Sequence, residues 1–403
     1  MSRDNVGSGM LSDGVSVYDI EDIHKIETLP ADATRAVLIL SYQRCGSSFF
    51  GGLFDSAPKG FYIYEPLDSL YNAMYGTPEG WNVPSDIMNH SNGTVRNIPE
   101  SELREVSTFL ANLLQCKFQS LPLDLFLHKY WMQFANYESS IGSFKDCVIK
   151  YELHKAHGRC YDSIKDRCPK RFGDNTTLQE TCVRYLSLAR TRGYVTISGQ
   201  DISGLELFTS YLSCLERYRD KVDRCISKLN DSCQGSSIRS TKTVRATMAS
   251  VEYLIEMVPQ LKVIHLVRDP RAVVLSRHNF DSSAQSLYAN GDLIKEAMLF
   301  CHNLANDIVR RRQLETKYPG SFMEVIYDKF VEDPLRYTED IYKFINVTLT
   351  NSVRKWIAKK SNGSQNSTVI ANKWKYELPY IKIKHISETC QNVFELLDYN
   401  WNL

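Results

Sequence analysis

Several common signatures of nucleotide and metal chemistry are missing from this chain of 403 residues. It has neither the GxxxxGK(S/T) loop of nucleoside triphosphatases nor the GxGxxG turn of dinucleotide-binding folds, which argues against both classes. No Cys-x-x-Cys pair is present, so a zinc site has no support from spacing. The net charge of +1 gives no overall field that would attract nucleic acid.

Long apolar runs are equally scarce. No stretch reaches the roughly 18 apolar residues of a membrane span, and the polar residues 1–34, predicted to be a tail, lack the apolar core of a signal peptide. Eleven cysteines and seven glycosylation sequons nevertheless favour an oxidising secretory lumen. The sequons begin at Asn89, Asn92, Asn175, Asn230, Asn346, Asn362 and Asn366. Either the protein is cytosolic, or an anchor that precedes the given sequence directs it to the lumen.

Short apolar runs separated by helical stretches predict an α/β fold, with a P-loop-like parallel sheet and helices on both faces. The predicted strands are 36–40, 61–64, 147–151, 194–198, 262–267 and 322–327, and the predicted helices are 47–55, 205–229, 244–258, 270–280, 293–316 and 334–345. We expect residues 35–403 to form a single domain. Residues 76–192 fit the pattern poorly and are interpreted as a cysteine-containing insertion or subdomain at one edge of the sheet.

The segment AVLILSYQRCGSSFFGGLF, residues 36–54, reads as an apolar strand, a polar turn and a helix. Gly46 allows a tight turn. Ser47 and Ser48 lie where the helix begins, so free backbone N–H groups, the helix dipole and two hydroxyl groups would attract an anion there. Arg44 adds a fixed positive fork. An ordinary helix capped by serine is the structural alternative.

A second strand, basic turn and helix occur in LKVIHLVRDPRAVVLSR, residues 261–277. Arg268 directly follows the predicted strand, Asp269 is a candidate N-cap, and Pro270 suits the first helical turn. Ser276 lies about two helical turns beyond Arg268, which would let a charged fork and a hydroxyl group hold a second phosphate. The alternative is a capped structural helix with a surface arginine.

These motifs carry a family resemblance. QRCGSSFFGGLF (43–54), IYEP (63–66) and LVRDPRAVVLSR (266–277) resemble the 5′-phosphosulfate loop, the element after it and the 3′-phosphate motif of Golgi carbohydrate sulfotransferases. The similarity is greatest to the galactose, N-acetylglucosamine and N-acetylgalactosamine 6-O-sulfotransferases. It implies 3′-phosphoadenosine 5′-phosphosulfate as donor, no metal, and a glycan or glycosaminoglycan acceptor such as keratan or chondroitin. It also implies a Golgi lumen location and a membrane anchor, which the given sequence lacks.

The resemblance assigns the two loops to the donor. The 5′-phosphosulfate would be held by Arg44, Cys45, Gly46, Ser47, Ser48, Phe49 and Phe50, and the 3′-phosphate by Arg268, Asp269, Pro270, Arg271 and Ser276. Arg44 would also be catalytic, by stabilising charge on the bridging oxygen as the sulfuryl group leaves. Cys45 departs from the family pattern, in which Ser or Thr is expected at this position.

Sulfuryl transfer needs a group that takes the proton of the attacking hydroxyl. Glu65 is predicted to be this base, because it ends the strand after the first helix, where related enzymes carry a glutamate. Alternatively, Glu65 pairs with an arginine and braces the loop. The rival base is His265, but its position in an apolar strand favours a buried structural role. Lys242 and Arg245, in STKTVR, either contact donor or acceptor anions or form a surface salt bridge with a carboxylate.

The cysteines are predicted to be structural. By resemblance, Cys301 and Cys390 are expected to form a disulfide bond. Two further groups are close enough in sequence for local bridges: Cys160, Cys168 and Cys182, and separately Cys214, Cys225 and Cys233. Because eleven is an odd number, at least one thiol is left over, and Cys45 is the candidate.

The main hypothesis is therefore an enzyme that sulfates a sugar hydroxyl. A sulfotransferase that acts on another acceptor, such as protein tyrosine, and a non-catalytic glycan-binding member of the fold remain as alternatives. Residues 351–386 contain eight Lys or Arg and one acidic residue, which suits an anionic glycan or the donor phosphates. Trp374, in this segment, either stacks on a sugar or fills the core, and the core is favoured.

Overall fold

A computed structural model describes residues 34–75, 95–121, 123–127, 140–156, 159–160, 210, 213–281, 293–361 and 367–399. The tail predicted for residues 1–34 lies outside these ranges except for Thr34. The strand predicted at 194–198 lies outside them entirely. Within the described ranges, no helix combines the length and the apolar character that crossing a bilayer requires.

Five parallel strands form one sheet in the order β2-β3-β1-β4-β5. They are β1 (Arg35–Leu40), β2 (Gly60–Tyr64), β3 (Ile238–Thr243), β4 (Lys262–Val267) and β5 (Phe322–Ile326). The chain runs from β1 to the β2 edge, returns through β3, and then passes to the other side of β1. The connections therefore diverge between β1 and β4, the type of switch point at which open α/β sheets carry a ligand-binding crevice at the carboxyl ends of the strands.

Helices connect and cover the strands. They are α1 (Ser47–Asp55), α2 (Pro66–Tyr75), α3 (Glu100–Leu114), α4 (Gly142–Lys150), α5 (Arg219–Gln234), α6 (Met248–Met257), α7 (Pro270–Asp281), α8 (Leu293–Lys317), α9 (Tyr327–Phe330), α10 (Pro334–Phe344), α11 (Asn351–Ser361), α12 (Ser367–Asn372), α13 (Trp374–Glu377), α14 (Tyr380–Thr389) and α15 (Gln391–Leu396). The helices predicted to begin at 47, 270, 293 and 334 begin at those residues. Of the helix predicted at 205–229, residues 213–216 are helical, and after a turn at 217–218 the helix continues as α5 from Arg219 to Gln234; residues 205–209, 211 and 212 lie outside the described ranges.

Side chains that alternate along β1 divide the core into two layers. Val37 and Ile39 pack with Phe50 of α1 on one face of the sheet. Leu38 and Leu40 pack on the other face, in the layer to which helices α6 and α7 contribute. The predicted parallel α/β sheet with helices on both faces is thus confirmed.

One strand prediction is wrong, and one strand of the sheet was not predicted. Residues 147–151 belong mostly to helix α4, whose Phe144 and Val148 are buried one turn apart. A short apolar run does not distinguish a strand from one face of a helix. Conversely, β3 lies between β1 and β2 although its sequence, IRSTKT, is polar. Its hydroxyl groups are satisfied inside the sheet, since Ser240 Oγ donates to Phe61 O at 3.2 Å.

The disulfide bonds correct the predicted cysteine pairing. Instead of closing local loops, the three cysteines of the 214–233 group are bonded to three cysteines much earlier in the chain, of which only Cys160 belongs to the first predicted group. The bonds are Cys116–Cys233, Cys147–Cys225, Cys160–Cys214 and Cys301–Cys390. The Cys301–Cys390 prediction is confirmed, and Cys45 is the free, buried thiol among the described cysteines. Cys168 and Cys182 lie outside the described residues.

Part of the 76–192 segment is joined closely to the main core. Helix α3 packs against α6, with Phe109 and Leu110 in the same apolar layer as Val251. Ser107 Oγ donates a hydrogen bond to Ser250 O at 2.7 Å. This helix therefore covers the sheet beside α6. The division into a tail, one domain and an insertion stays a prediction.

Candidate functional site

The first loop, residues 41–46, is held by both neighbours of β1. Ser41 N donates to Thr243 O of β3 at 3.0 Å, and Ser41 Oγ donates to Leu266 O of β4 at 3.0 Å. The turn then uses two left-handed residues, Arg44 with φ 71° and Gly46 with φ 80°. Glycine accepts this conformation without strain, and any Cβ at Gly46 would also clash with the Tyr327 ring.

Helix α1 begins at this turn without a side-chain cap. Its N-cap is Gly46, which has no side chain that could accept from the first-turn N–H groups. Those groups and the helix dipole thus point toward the crevice. Ser47 is buried and Ser48 is half-buried. The hydroxyl group of Ser48 lies 3.1 Å from Tyr64 Oη, at the end of β2.

The second loop links β4 to α7. Asp328 Oδ2 accepts from Asp269 N at 2.8 Å, so Asp328 supports the start of α7. Arg268 is buried, with its guanidinium 5.2 Å from the Tyr327 ring centroid. Its Nη1 donates to Arg44 O at 2.9 Å, and its Nη2 donates to Ile370 O at 3.1 Å. Burial, together with the neighbouring Asp269 carboxylate, raises the pKa of Asp328 above its ordinary value.

The two predicted loops meet directly. Arg44 Nε donates to Ser276 Oγ at 3.0 Å, across 232 positions of sequence. Arg277 Nε donates to Gln43 O at 3.2 Å, which ties α7 to the first loop a second time. Arg44 is exposed, whereas Arg277 is buried. The arrangement therefore presents one accessible guanidinium and one hydroxyl group at the crevice, on a braced framework.

Four of the predicted donor-binding side chains point away from the crevice. Phe50 packs in the core, and burial raises the pKa of the Cys45 thiol to about 11. Arg271 Nη2 lies 2.7 Å from Asp269 Oδ2, and its guanidinium lies 4.0 Å from the Trp374 ring centroid. These four residues can therefore contact a ligand only through their backbone. Phe49 is half-buried against Trp356.

Glu65 lies at the centre of a buried ionic cluster. Lys242 Nζ donates to its Oε1 at 2.5 Å. Val244 N and Arg245 Nη1 both donate to its Oε2 at 3.2 Å. Arg245 Nη2 continues to Asp68 Oδ2 at 2.7 Å. Lys242 and Arg245 thus take the carboxylate-binding role left open above, although the cluster is buried rather than on the surface.

Tyr64 is a site residue that the sequence did not reveal. The Lys242 ammonium lies 4.1 Å from the centroid of its ring, while its hydroxyl group contacts Ser48. It therefore connects the ionic cluster to the first turn of α1. Its position in IYEP was visible in the sequence, but nothing there indicated a contact with a loop 16 residues earlier.

A second buried cluster lies beneath the first loop. Tyr42 Oη donates to Asp307 Oδ2 at 2.8 Å and lies 3.0 Å from His265 Nε2. Asp307 Oδ1 accepts from Met248 N at 2.8 Å. Burial raises the pKa of Asp307 to about 6 and lowers the pKa of His265 to about 3. The predicted structural role of His265 fits its complete burial.

The fold and its two meeting loops define a P-loop-like α/β protein. A model of the sulfotransferase family matches residues 36–351, so the chain belongs to that family and is a sulfotransferase. It is similar to carbohydrate sulfotransferase 1 of Rattus norvegicus, with 24% identity over 385 residues that cover 90% of this chain and 79% of the relative. Carbohydrate sulfotransferase 5 of Homo sapiens is 24% identical over 390 residues, with 90% and 77% covered.

Solved structures also match along most of the chain. The sulfotransferase domain of the Synechococcus PCC 7002 olefin synthase is 14% identical, with a TM-score of 0.38, and covers 93% of this chain and 98% of that one. Sulfotransferase STF9 of Mycobacterium avium is 12% identical, with a TM-score of 0.35, and covers 92% and 78%. Within the described residues, no group of three or more His, Cys, Asp or Glu side chains is arranged to hold a metal ion.

Proposed function

We propose that the chain transfers a sulfuryl group from 3′-phosphoadenosine 5′-phosphosulfate to a carbohydrate hydroxyl, namely O-6 of N-acetylglucosamine, N-acetylgalactosamine or galactose. The observation that carries the proposal is the 3.0 Å contact between Arg44 Nε and Ser276 Oγ. It brings the two predicted anion-binding motifs to one crevice. The curated relatives are named carbohydrate sulfotransferases, which supports a sugar acceptor.

The residues at the crevice fit the donor. It carries anionic groups at two ends, and the crevice offers a guanidinium, hydroxyl groups and uncapped helix N–H groups. When bound, the donor supplies a sulfuryl group on a phosphate leaving group. Ser47, Ser48 and the first turn of α1 would bind the 5′ end, and Ser276 and Arg268 the 3′ phosphate. Arg268, already bonded to Arg44 O, would also keep the first loop in place.

Arg44 is the residue proposed to stabilise charge during transfer. It is exposed at the crevice, and its left-handed backbone is braced by Arg268. A positioned guanidinium stabilises charge that develops on a leaving oxygen without reorganising during the reaction. Ser276 fixes the orientation of this guanidinium through Nε.

Glu65 is proposed to take the proton of the acceptor hydroxyl. Its positive φ of 47° places the carboxylate beside Lys242 and Arg245 rather than along the strand. A carboxylate offers about four lone-pair sites, so beside its bonds from Lys242, Val244 and Arg245 it can accept one from the acceptor hydroxyl. Lys242, already over the Tyr64 ring, would then lie between the base and the loop.

We also propose that the protein works in the oxidising lumen of the Golgi. Four disulfide bonds among the described residues support such a compartment. Asn346, in one of the sequons, is exposed directly after α10, where a glycan can be attached.

The test is a transfer assay with purified protein and radiolabelled donor. The acceptors are desulfated chondroitin, desulfated keratan, N-acetylglucosamine-terminated oligosaccharides and heparosan. Label on one polymer, located at O-6 by disaccharide analysis, is the expected result. Label on a tyrosine peptide alone, or on no acceptor although the donor still binds, would refute the proposed acceptor.

Arg268→Ala provides the donor-side test. The variant should weaken donor binding measured by calorimetry, while Arg310→Ala, an exposed arginine on α8, serves as the matched control. Both variants must keep the wild-type melting temperature for the comparison to count. If folded wild-type protein did not bind the donor, the assignment of both loops would be wrong.

A further inference from the structure

Exposed apolar side chains are concentrated in one short segment beside the crevice. Ten large apolar residues are exposed in the described part of the chain, and five of them lie between residues 369 and 381. They are Val369, Ile370, Tyr376, Tyr380 and Ile381. Tyr376 is 88% exposed and Tyr380 is 68% exposed. Concentrated exposure of this kind marks a binding surface, whereas isolated exposed residues need no explanation.

The same segment carries positive charge. Residues 369–385 contain Lys373, Lys375, Lys382 and Lys384, against the single carboxylate of Glu377. That carboxylate is bonded to Lys373 at 2.8 Å. Among the described residues, Lys375 and Lys382 have no carboxylate partner within salt-bridge distance, and Lys375 Nζ lies 5.7 Å from the Trp374 ring centroid. Two lysines therefore remain for an external anion.

Three contacts attach this segment to the second loop and its helix. Ile370 O accepts from Arg268 Nη2 at 3.1 Å. Trp374 is buried against the Arg271 guanidinium. Glu377 Oε2 accepts from Asn279 Nδ2 at 3.4 Å, one helical turn beyond the serine that contacts Arg44. The exposed side of the segment thus flanks the crevice from Arg268 to the far end of α7.

We propose that this tyrosine–lysine surface, formed by Ile370, Lys375, Tyr376, Tyr380, Ile381 and Lys382, binds the acceptor, and that the acceptor is an anionic glycan whose carboxylate or sulfate groups contact Lys375 and Lys382. The inference rests on the proposed function and adds the charge of the substrate. A sugar chain is longer than the reacting residue, so its neighbouring sugars need a surface beside the crevice. Tyrosine rings supply flat apolar area with a polar edge, and lysines supply the complementary charge.

The shape of the surface favours a glycan over a membrane. It is built from three short helices, α12, α13 and α14, which are 6, 4 and 10 residues long. Proteins that lie on membranes usually do so with one continuous amphipathic helix. A chain of sugars can instead follow a surface that changes direction at each helix.

The test compares two polymers that differ only in charge. Desulfated chondroitin carries a carboxylate on every second sugar, and its carboxyl-reduced derivative has the same backbone without the charge. Keratan sulfate and desulfated keratan form a second pair. Binding of each polymer to the full chain is measured by calorimetry, and initial transfer rates are measured in parallel.

The test variant is Lys375→Ala/Lys382→Ala. Because exposed charge contacts contribute modestly, we expect binding of the anionic polymer to weaken about three- to tenfold, with the neutral polymer and the donor unaffected. Added salt should weaken anionic binding less in the variant than in the wild type. Tyr376→Ala should weaken the binding of the anionic and the neutral polymer to the same extent. Lys221→Ala/Lys228→Ala on α5 is the control with the same change of charge.

The possible outcomes separate this inference from the proposed function. Equal binding of charged and neutral polymers by the wild type, or equal loss of both in the lysine variant, would overturn the charge assignment. Lysine-dependent binding without turnover would support the surface while refuting the proposed reaction. A third outcome would reassign the surface to a membrane. In it, the wild type sediments with phosphatidylserine vesicles, whereas the lysine variant does not, although the variant still binds the glycan as the wild type does.

Discussion

Two buried clusters of titratable side chains lie on either side of the first loop, and they differ in kind. Toward β2, Glu65 and Asp68 are matched by Lys242 and Arg245. Beneath the loop, the described residues give Asp307 only neutral hydrogen-bond donors, from Tyr42 and Met248. Desolvation therefore dominates there and raises the pKa of Asp307 to about 6.

The difference shows that burial alone does not identify a catalytic group. A buried carboxylate that is ion-paired with two cations is held in one fixed orientation. A carboxyl group among Tyr42, His265 and a helix N-terminus is suited to hold the base of the loop. The four predictions below test this division, beginning with the largest expected effect.

Glu65→Gln should lower turnover about 10²–10⁴-fold, the usual contribution of a positioned base. Donor binding should be nearly unchanged, since the residue does not contact the two loops that would hold the donor. Single-turnover rates and donor calorimetry make the measurement. Asp68→Asn is the matched control, because it alters the same cluster while leaving the base, and it should retain most activity. A Glu65→Gln enzyme with wild-type turnover would mean that Glu65 only braces the loop.

Lys242→Met should reduce the free energy of unfolding by about 3–5 kcal/mol, because it leaves a buried carboxylate with one cation fewer. Urea denaturation measures the change. Adding Glu65→Gln to Lys242→Met should recover part of the loss, since the uncompensated charge is then removed. Additive losses in the double variant would show that the two side chains are not coupled.

In the cluster beneath the loop, Asp307 and His265 should change the free energy of unfolding in opposite directions as the pH falls. The raised pKa of Asp307 contributes stability that is complete below about 3.8, its ordinary value, and is lost as the pH rises through about 6. The lowered pKa of His265 contributes stability that is complete above about 6.5 and is lost as the pH falls toward about 3. The two contributions therefore offset each other around pH 5.

Between pH 7 and pH 5, the free energy of unfolding of the Asp307→Asn variant should accordingly fall by about 1 kcal/mol more than that of the wild type. Over the same interval, the free energy of unfolding of the His265→Gln variant should fall by about 2 kcal/mol less than that of the wild type. Calorimetric melting at the two pH values provides the measurement. Identical pH profiles for both variants and the wild type would contradict the assigned pKa shifts.

The smallest effect is expected for chemical labelling of Cys45, whose side chain lies in the apolar core beneath the first loop. Its thiol is fully buried, and its pKa of about 11 keeps it protonated at neutral pH. Iodoacetamide at pH 8 should therefore label it only after unfolding, as peptide mass spectrometry can show. Rapid labelling of folded protein would mean that the loop opens readily.

Features that depend on neighbouring residues were predictable from the sequence. The start of α1 after Gly46 and of α7 at Pro270 follow from turn and capping preferences that act within a few residues. The parallel sheet class follows from the repeated strand and helix pattern.

Contacts between distant segments depended on the tertiary structure. The polar strand β3 lies inside the sheet because carbonyl groups of β2 accept hydrogen bonds from the hydroxyl groups of Ser240 and Thr241. No local sequence pattern indicates these bonds. Pairing of the insertion cysteines with the 214–233 group required helices α4 and α5 to pack together.

By itself, the sequence determined the two strand–turn–helix motifs, the class of sheet and the family. Only the tertiary structure decided that Arg44 contacts Ser276 and that Glu65 is held by Lys242 and Arg245. The physical reason is that strand order, rather than chain order, decides which loops share an edge. Turns and caps depend on neighbours in sequence, whereas a site depends on neighbours in space.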